Sequence, residues 1–170
     1  MPRQIIKTGQ VAENRKARFE YAIEDTIESG LSLTGAEVKS LRYGLVNITD
    51  AFVQTSGMNA RRGLTLGSDT NLVLSNMVVQ PLPTANKAIR FDERRGRQLL
   101  MHRNQINRLI GKLNEKGATI VPLKLYFNNR GKLKVLLGVG FGKNKVDKRE
   151  TIKRREWEKT KARVMRNAKA

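Results

Sequence analysis

Between Val121 and Val139 the chain alternates with period two: Val121, Leu123, Leu125 and Phe127, then Asn128-Asn129-Arg130-Gly131, then Leu133, Val135, Leu137 and Val139. Helical neighbours recur at three and four residues, so no helix gathers these side chains on one side. The segment reads as a β-hairpin with a four-residue turn and one apolar face, and such a face must be covered. Phe19 to Glu28 supplies another strand, with Phe19, Tyr21, Ile23 and Ile27 at odd positions and one break at Asp25. Asn47 to Thr55 and Asn71 to Val79 are further strand candidates, the latter closed by Pro81 and Pro83. A hairpin around Leu64 to Leu66 is expected within Ser56 to Thr70, and Pro81 to Gly96 reads as an exposed loop carrying Lys87, Arg90, Arg94 and Arg95.

Two helices close the pattern. Thr34-Gly35-Ala36-Glu37 has capping-box spacing, so a short helix should follow, bury Val38 and Leu41, and stop at Gly44. Ile106, Leu109, Ile110 and Leu113 stand at i, i+3, i+4 and i+7, which predicts a helix over Arg103 to Lys116 ended by Gly117. The fold class is therefore mainly β: an OB-like antiparallel β-barrel with two to three packed helices, over residues 11–142. A flexible N-terminus, 1–10, precedes it.

Residues 143–170 are of another kind. They hold twelve Lys or Arg (Lys143, Lys145, Lys148 and Arg149 among them) against four acids, and few apolar side chains of useful size: Ile152, Trp157, Val164 and Met165. Such a segment is expected to be disordered alone and to order on a polyanion. The whole chain leans the same way, with 34 Lys plus Arg against 15 Asp plus Glu and a formal charge of +19. Nucleic acid is the leading partner class, because neutralising phosphates releases condensed counterions. A membrane surface fits less well, since the tail lacks a broad apolar face. In the ordered part Arg15, Lys16, Arg18, Lys39, Arg42, Lys124, Lys132 and Lys134 are the candidate phosphate contacts on one continuous surface, with Tyr21 and Tyr126 as stacking candidates.

Several chemistries drop out. There is no cysteine, hence no disulfide, thiolate nucleophile or cysteine-built zinc site. His102, the only histidine, reads as a helix-start residue. Gly138, Gly140 and Gly142 before Lys143 match neither phosphate-loop pattern and read as a flexible strand exit. Glu20, Glu24 and Glu28 share one strand face with Asp25 opposite, but acids four residues apart on a strand lie about 13 Å apart, too far to share an ion. Neither a catalytic group, a metal nor a cofactor is expected. No signal-peptide run or 18-residue apolar window occurs, so the chain reads as soluble and cytoplasmic, and a monomer is the expected state.

Asn14-Arg15-Lys16-Ala17-Arg18, Gly35-Ala36-Glu37-Val38-Lys39-Ser40-Leu41-Arg42, Val121-Pro122-Leu123-Lys124-Leu125-Tyr126-Phe127 and Asp147-Lys148-Arg149-Glu150, in that order, resemble the SsrA-binding protein family, SmpB. The resemblance implies an adaptor that binds the transfer-RNA-like domain of transfer-messenger RNA (tmRNA) and accompanies it to stalled bacterial ribosomes for trans-translation. It places Glu28, Leu100 and Lys134 at the tmRNA surface with Asn14 to Arg18 beside them. It also places the tail in the empty messenger channel of the small subunit beyond the decoding centre, folded there as a helix that starts at Asp147, Lys148 and Arg149 and is anchored by Trp157, Val164 and Met165. Val146 stands where the family presents an aromatic or histidine, and Phe91 to Arg97 lacks the family's usual proline. The alternative is a general OB-fold RNA chaperone or ribosome-associated RNA-binding protein.

Overall fold

The hairpin supplies the second and third strands of a seven-stranded sheet. In the computed structural model, which describes residues 5–56, 70–83 and 91–167, β8 (Ala118–Phe127) pairs antiparallel with β9 (Leu133–Gly142). Gly131 turns the chain at φ +69°, a left-handed conformation that glycine adopts without a Cβ clash, and Asn128 Oδ1 accepts from the Arg130 and Lys132 N–H groups at 3.0 and 2.9 Å. β1 (Gly9–Glu13) adds to the free edge of β8. On the other side follow β2 (Tyr21–Leu31), β7 (Arg97–Leu100), β5 (Asn71–Ser75) and β4 (Phe52–Ser56), giving the order β1-β8-β9-β2-β7-β5-β4. Every pairing is antiparallel, and the sheet curls until β4 packs against β8. This is the OB-like, mainly β architecture the alternation implies. The helices are α1 (Arg15–Glu20), α2 (Gly35–Arg42), α3 (Arg103–Leu113) and α4 (Lys145–Asn167).

Inside the curl lies the main core, including Leu41, Leu72, Leu74, Leu99, Leu125, Val135 and Leu137. Full burial of such a side chain is worth about 1.5–3 kcal/mol. The hairpin's apolar residues do not all share that core, contrary to the single face expected. A bulge between Pro122 and Lys124 shifts the alternation, so Leu125 and Phe127 enter the main core while Val121 and Leu123 turn outward onto Ala17 of α1. A matching bulge between Ile23 and Asp25 accompanies the break noted in the sequence: Ile27 joins the main core, Ile23 the small cluster.

Other differences have local causes. The strand expected over 47–55 is two strands, β3 (Val46–Asn47) and β4, because Asn47 Oδ1 accepts from Thr49 N–H at 2.8 Å and turns the chain. The strand expected over 71–79 breaks at Asn76, whose φ is 59°, into β5 and β6 (Val78–Val79), and β6 pairs with β3. Gly138 and Gly140 are no flexible exit. They are buried within β9, where a Cβ on Gly140 would lie 2.2 Å from the Ala22 carbonyl oxygen. Ile6 N–H donates to Arg42 O at 2.7 Å and β1 begins at Gly9, so the chain is tied down within the segment expected to be flexible. The hairpin expected around 64–66 and residues 84–90 of the expected loop lie outside the described residues.

Candidate nucleic-acid interface

Gly30 of β2 pairs with Leu100 of β7 on one side and Lys134 of β9 on the other, and Lys134 pairs with Tyr126 of β8. Leu100, Gly30, Lys134 and Tyr126 thus form one row across four strands, roughly 14 Å long at the usual strand spacing. Leu100 is 55% exposed and leans over Gly30, where a Cβ would come within 3.3 Å of its own. Glu28, two residues from Gly30 on the same face, binds the row together: the Tyr126 hydroxyl donates to it, and Lys134 Nζ lies 3.2 Å away. The Tyr126 and Lys134 hydrogen bonds hold the Glu28 carboxyl below its ordinary value, and the same contact pushes the Tyr126 phenol up to about 12. The Tyr126 hydroxyl is thus engaged as a donor to Glu28, which fixes the ring within the row. A cleft of about 400 Å³ beside the row is lined by Leu33, Val38, Leu100, Lys132 and Lys134 among others. An exposed leucine beside lysines and a carboxylate offers RNA an apolar contact, phosphate partners and an acceptor on one surface.

Of the eight cations expected on one surface, four face acids, Lys134 among them. Arg15 and Lys124 both face Glu13, at 3.7 and 3.9 Å. Lys16 pairs with Asp50 at 2.9 Å, which raises its pKa. Arg42 lies over the Phe127 ring, 4.7 Å from its centroid, and donates to Ile6 O, so it packs the N-terminal segment onto the barrel. Lys39 is exposed on α2. Asn14 is not at the surface: 1% exposed, it caps α1 through Ala17 N–H and donates to the Ile48 and Thr49 carbonyls, leaving no free group for a ligand. Its work is to fix α1, and with it Arg15 to Arg18, against the loop before β4.

The tail is a helix here. α4 leaves the barrel where Lys143 N–H donates to Glu20 O at 2.8 Å, and its apolar side chains Ile152, Trp157, Val164 and Met165 are exposed, Trp157 by 63%. Lys161 Nζ lies 5.1 Å from the Trp157 ring centroid. Arg149 is exposed, and of the side chains of Lys145, Asp147 and Lys148 nothing is described.

One network was only half visible in the sequence. Glu37, half of the capping box with Thr34, is 2% exposed and takes hydrogen bonds from Arg95 at 2.5 and 2.9 Å and from the fully buried Arg97 at 2.9 Å. Arg97 also donates to the Met77, Arg95 and Glu93 carbonyls. Arg95 is therefore no solvated loop cation. This network locks α2 to β7, the strand that ends in Leu100. Among the described residues no three metal-ligating side chains cluster, and no helix is long and apolar enough to cross a membrane.

A family model described as SmpB protein matches residues 11–167, which takes in the row, all of α4 and all but the first two residues of the barrel strands. This chain belongs to the SmpB family. It is 47% identical over 157 residues to the SsrA-binding protein of Methylorubrum populi, covering 92% of each chain, and 47% identical over 163 residues to that of Rhodospirillum rubrum, covering 96% of this chain and 94% of the relative. A solved chain from a tmRNA–SmpB study of the bacterial ribosome superposes with a TM-score of 0.62 at 40% identity, over 86% of this chain and 94% of that one. SmpB membership accounts for the order of the motifs along the barrel and for the length of the basic helix beyond it.

Proposed function

We propose that the chain binds the transfer-RNA-like domain of tmRNA through the Leu100–Lys134 row and delivers it to stalled bacterial ribosomes, where α4 occupies the messenger channel of the small subunit. The observation that carries this is the convergence of Glu28, Leu100 and Lys134 from three separate strands on one exposed face of an SmpB barrel. Row and tail divide the work: a folded RNA is held by a preformed surface, and a cationic helix with bare apolar residues meets an RNA-walled channel. Away from RNA, α4 has little to bury and frays, so its order is supplied by the partner. The adaptor is a cytoplasmic monomer, needs neither cofactor nor metal, and catalyses nothing.

A competition titration at near-physiological salt tests it, with labelled tmRNA challenged by elongator transfer RNA and by an unrelated hairpin RNA. Strong preference for tmRNA is expected. Equal competition by all three would replace the adaptor with a general RNA chaperone.

A further inference from the structure

We infer that Arg42 is a positioning residue for the row and not a phosphate contact: together with the N-terminal strap that it clasps, residues 5–8, it holds the hairpin turn that presents Lys132 and Lys134 to the cleft. Arg42 ends α2, is half-buried, and forms no ion pair with a carboxylate among the described residues, so charge alone leaves either role open. Its surroundings decide between them.

Arg42 and Ile6 grip each other in both directions. Ile6 N–H donates to Arg42 O at 2.7 Å, and the Arg42 guanidinium donates to Ile6 O at 3.3 Å. The Ile6 side chain packs against the main core, its Cδ1 beside Gly44, where the chain turns out of α2 at φ +69°. The guanidinium lies over the Phe127 ring, and a Cβ on Gly131 would come within 3.5 Å of its Nη2. One planar cation thus touches three segments distant in sequence: the strap before β1, the last residue of β8 and the turn after it. A guanidinium can donate at its edge while its face covers a ring, whereas a lysine ammonium offers a single point of charge.

Phe127 and Gly131 line the cleft of about 400 Å³ together with Lys132 and Lys134, but Arg42 does not line it. Arg42 therefore touches two residues of that wall from outside the cleft. The turn is closed by Asn128 N–H to Lys132 O at 3.0 Å and by Gly131 N–H to Asn128 O at 2.9 Å, so a shift at Gly131 passes to Lys132 and along β9 to Lys134. Gly9, the first residue of β1, pairs with Phe127, so the strap reaches the same place along the backbone as well. Without the clasp the RNA would have to order both lysines itself, an entropic cost that a preformed surface avoids. The inference rests on the row being the tmRNA surface for its effect on binding, but not for the clasp itself.

The test compares Arg42→Lys, Arg42→Ala and Ile6→Ala with the unaltered full chain, by amide hydrogen exchange of the free protein and by tmRNA titration over a range of salt concentrations. In Arg42→Lys and Ile6→Ala the amides of Asn128, Gly131 and Lys132 should lose protection while those of Leu109 and Ile110 in α3 keep theirs, which separates a local clasp from general destabilisation. Both variants should bind tmRNA roughly tenfold more weakly, the scale of immobilising two long side chains. In all three variants the slope of log affinity against log salt should stay as it is, because the bound RNA still meets the same lysines. Normal affinity in Arg42→Lys together with a slope reduced by about 0.9 in Arg42→Ala would overturn the inference and make Arg42 a phosphate contact. So would unaltered protection of the turn in Ile6→Ala, or lost protection with undiminished tmRNA affinity. Loss of tmRNA preference by the unaltered chain would count against the adaptor reading alone.

Discussion

Glu37 shows how one side chain serves two levels of structure. Its carboxylate caps its own helix through Thr34 and accepts from Arg95 and Arg97, 58 and 60 residues away. Burial pushes its carboxyl up, but the Arg95 and Thr34 hydrogen bonds and the charges of Arg97 and Arg95 outweigh burial and hold it below its ordinary value of 4.5. Glu37→Ala leaves Arg97 charged and unpaired in the interior and should cost about 3–5 kcal/mol in urea unfolding. A loss below about 1 kcal/mol, the worth of an exposed pair, would mean the network is not closed in solution. The pH dependence follows in sign: a depressed folded pKa adds stability that is full above the unfolded value and disappears as pH falls through the folded one. Unfolding free energy should therefore decline as pH drops below about 4.5, and Glu37→Gln, uncharged throughout, should flatten that decline. The capping half of this arrangement was legible, since Thr34 and Glu37 have the spacing. The ion-pair half was not, because neither propensity nor periodicity connects a helix start with arginines some sixty residues on, and Arg95 and Arg97 look like any loop cations until the fold buries Arg97 and draws Arg95 onto Glu37.

At the scale of elements the alternation of the hairpin and of Phe19 to Glu28 revealed the strands, and the i, i+3, i+4, i+7 spacing revealed α3. Bulges escaped because a bulge keeps composition and changes only which face each residue takes. Asp25 gave the one hint, a polar residue where the alternation called for an apolar one, whereas Pro122-Leu123-Lys124 gave none: Leu123 is apolar on either face. The glycines of β9 were misread for a related reason. A glycine in a strand reads as looseness until the facing backbone is known, and at Gly140 the facing group is the Ala22 carbonyl. Gly140→Ala should force β2 and β9 apart at the strand end that carries α1 and the root of α4, and cost about 1–3 kcal/mol in denaturant unfolding. Backbone amides of Tyr21 to Ile23 should then lose hydrogen-exchange protection before those of Glu28 to Gly30 do. Uniform loss along β2 would show that the strands separate as a unit.

On the scale of the molecule, the proposed division of work between the row and α4 predicts that the two ends of β2 separate by mutation. Lys134→Ala removes the lysine proposed to meet phosphate at the row, so tmRNA affinity should fall and the slope of log affinity against log salt should shrink by about 0.9. An unchanged slope would put Lys134 off the RNA, held by Glu28 alone. Deleting residues 147–170 takes ten Lys or Arg and four acids, a net charge of six (10 − 4), from the far end. The loss has to be judged at two salt concentrations, because at physiological ionic strength fields are screened beyond about 8 Å. There the truncated chain should bind tmRNA within about twofold of the intact one, as independent sites do. At low salt, where the screening length lengthens several-fold, the same deletion should weaken binding and slow association. Peptide tagging on stalled ribosomes should be lost at either concentration, because the exposed Trp157, Val164 and Met165 go with the deletion and no other helix among the described residues is basic with bare apolar side chains. Tagging by the truncated chain at the normal rate would mean that the row alone recruits tmRNA productively and that α4 serves only as long-range charge.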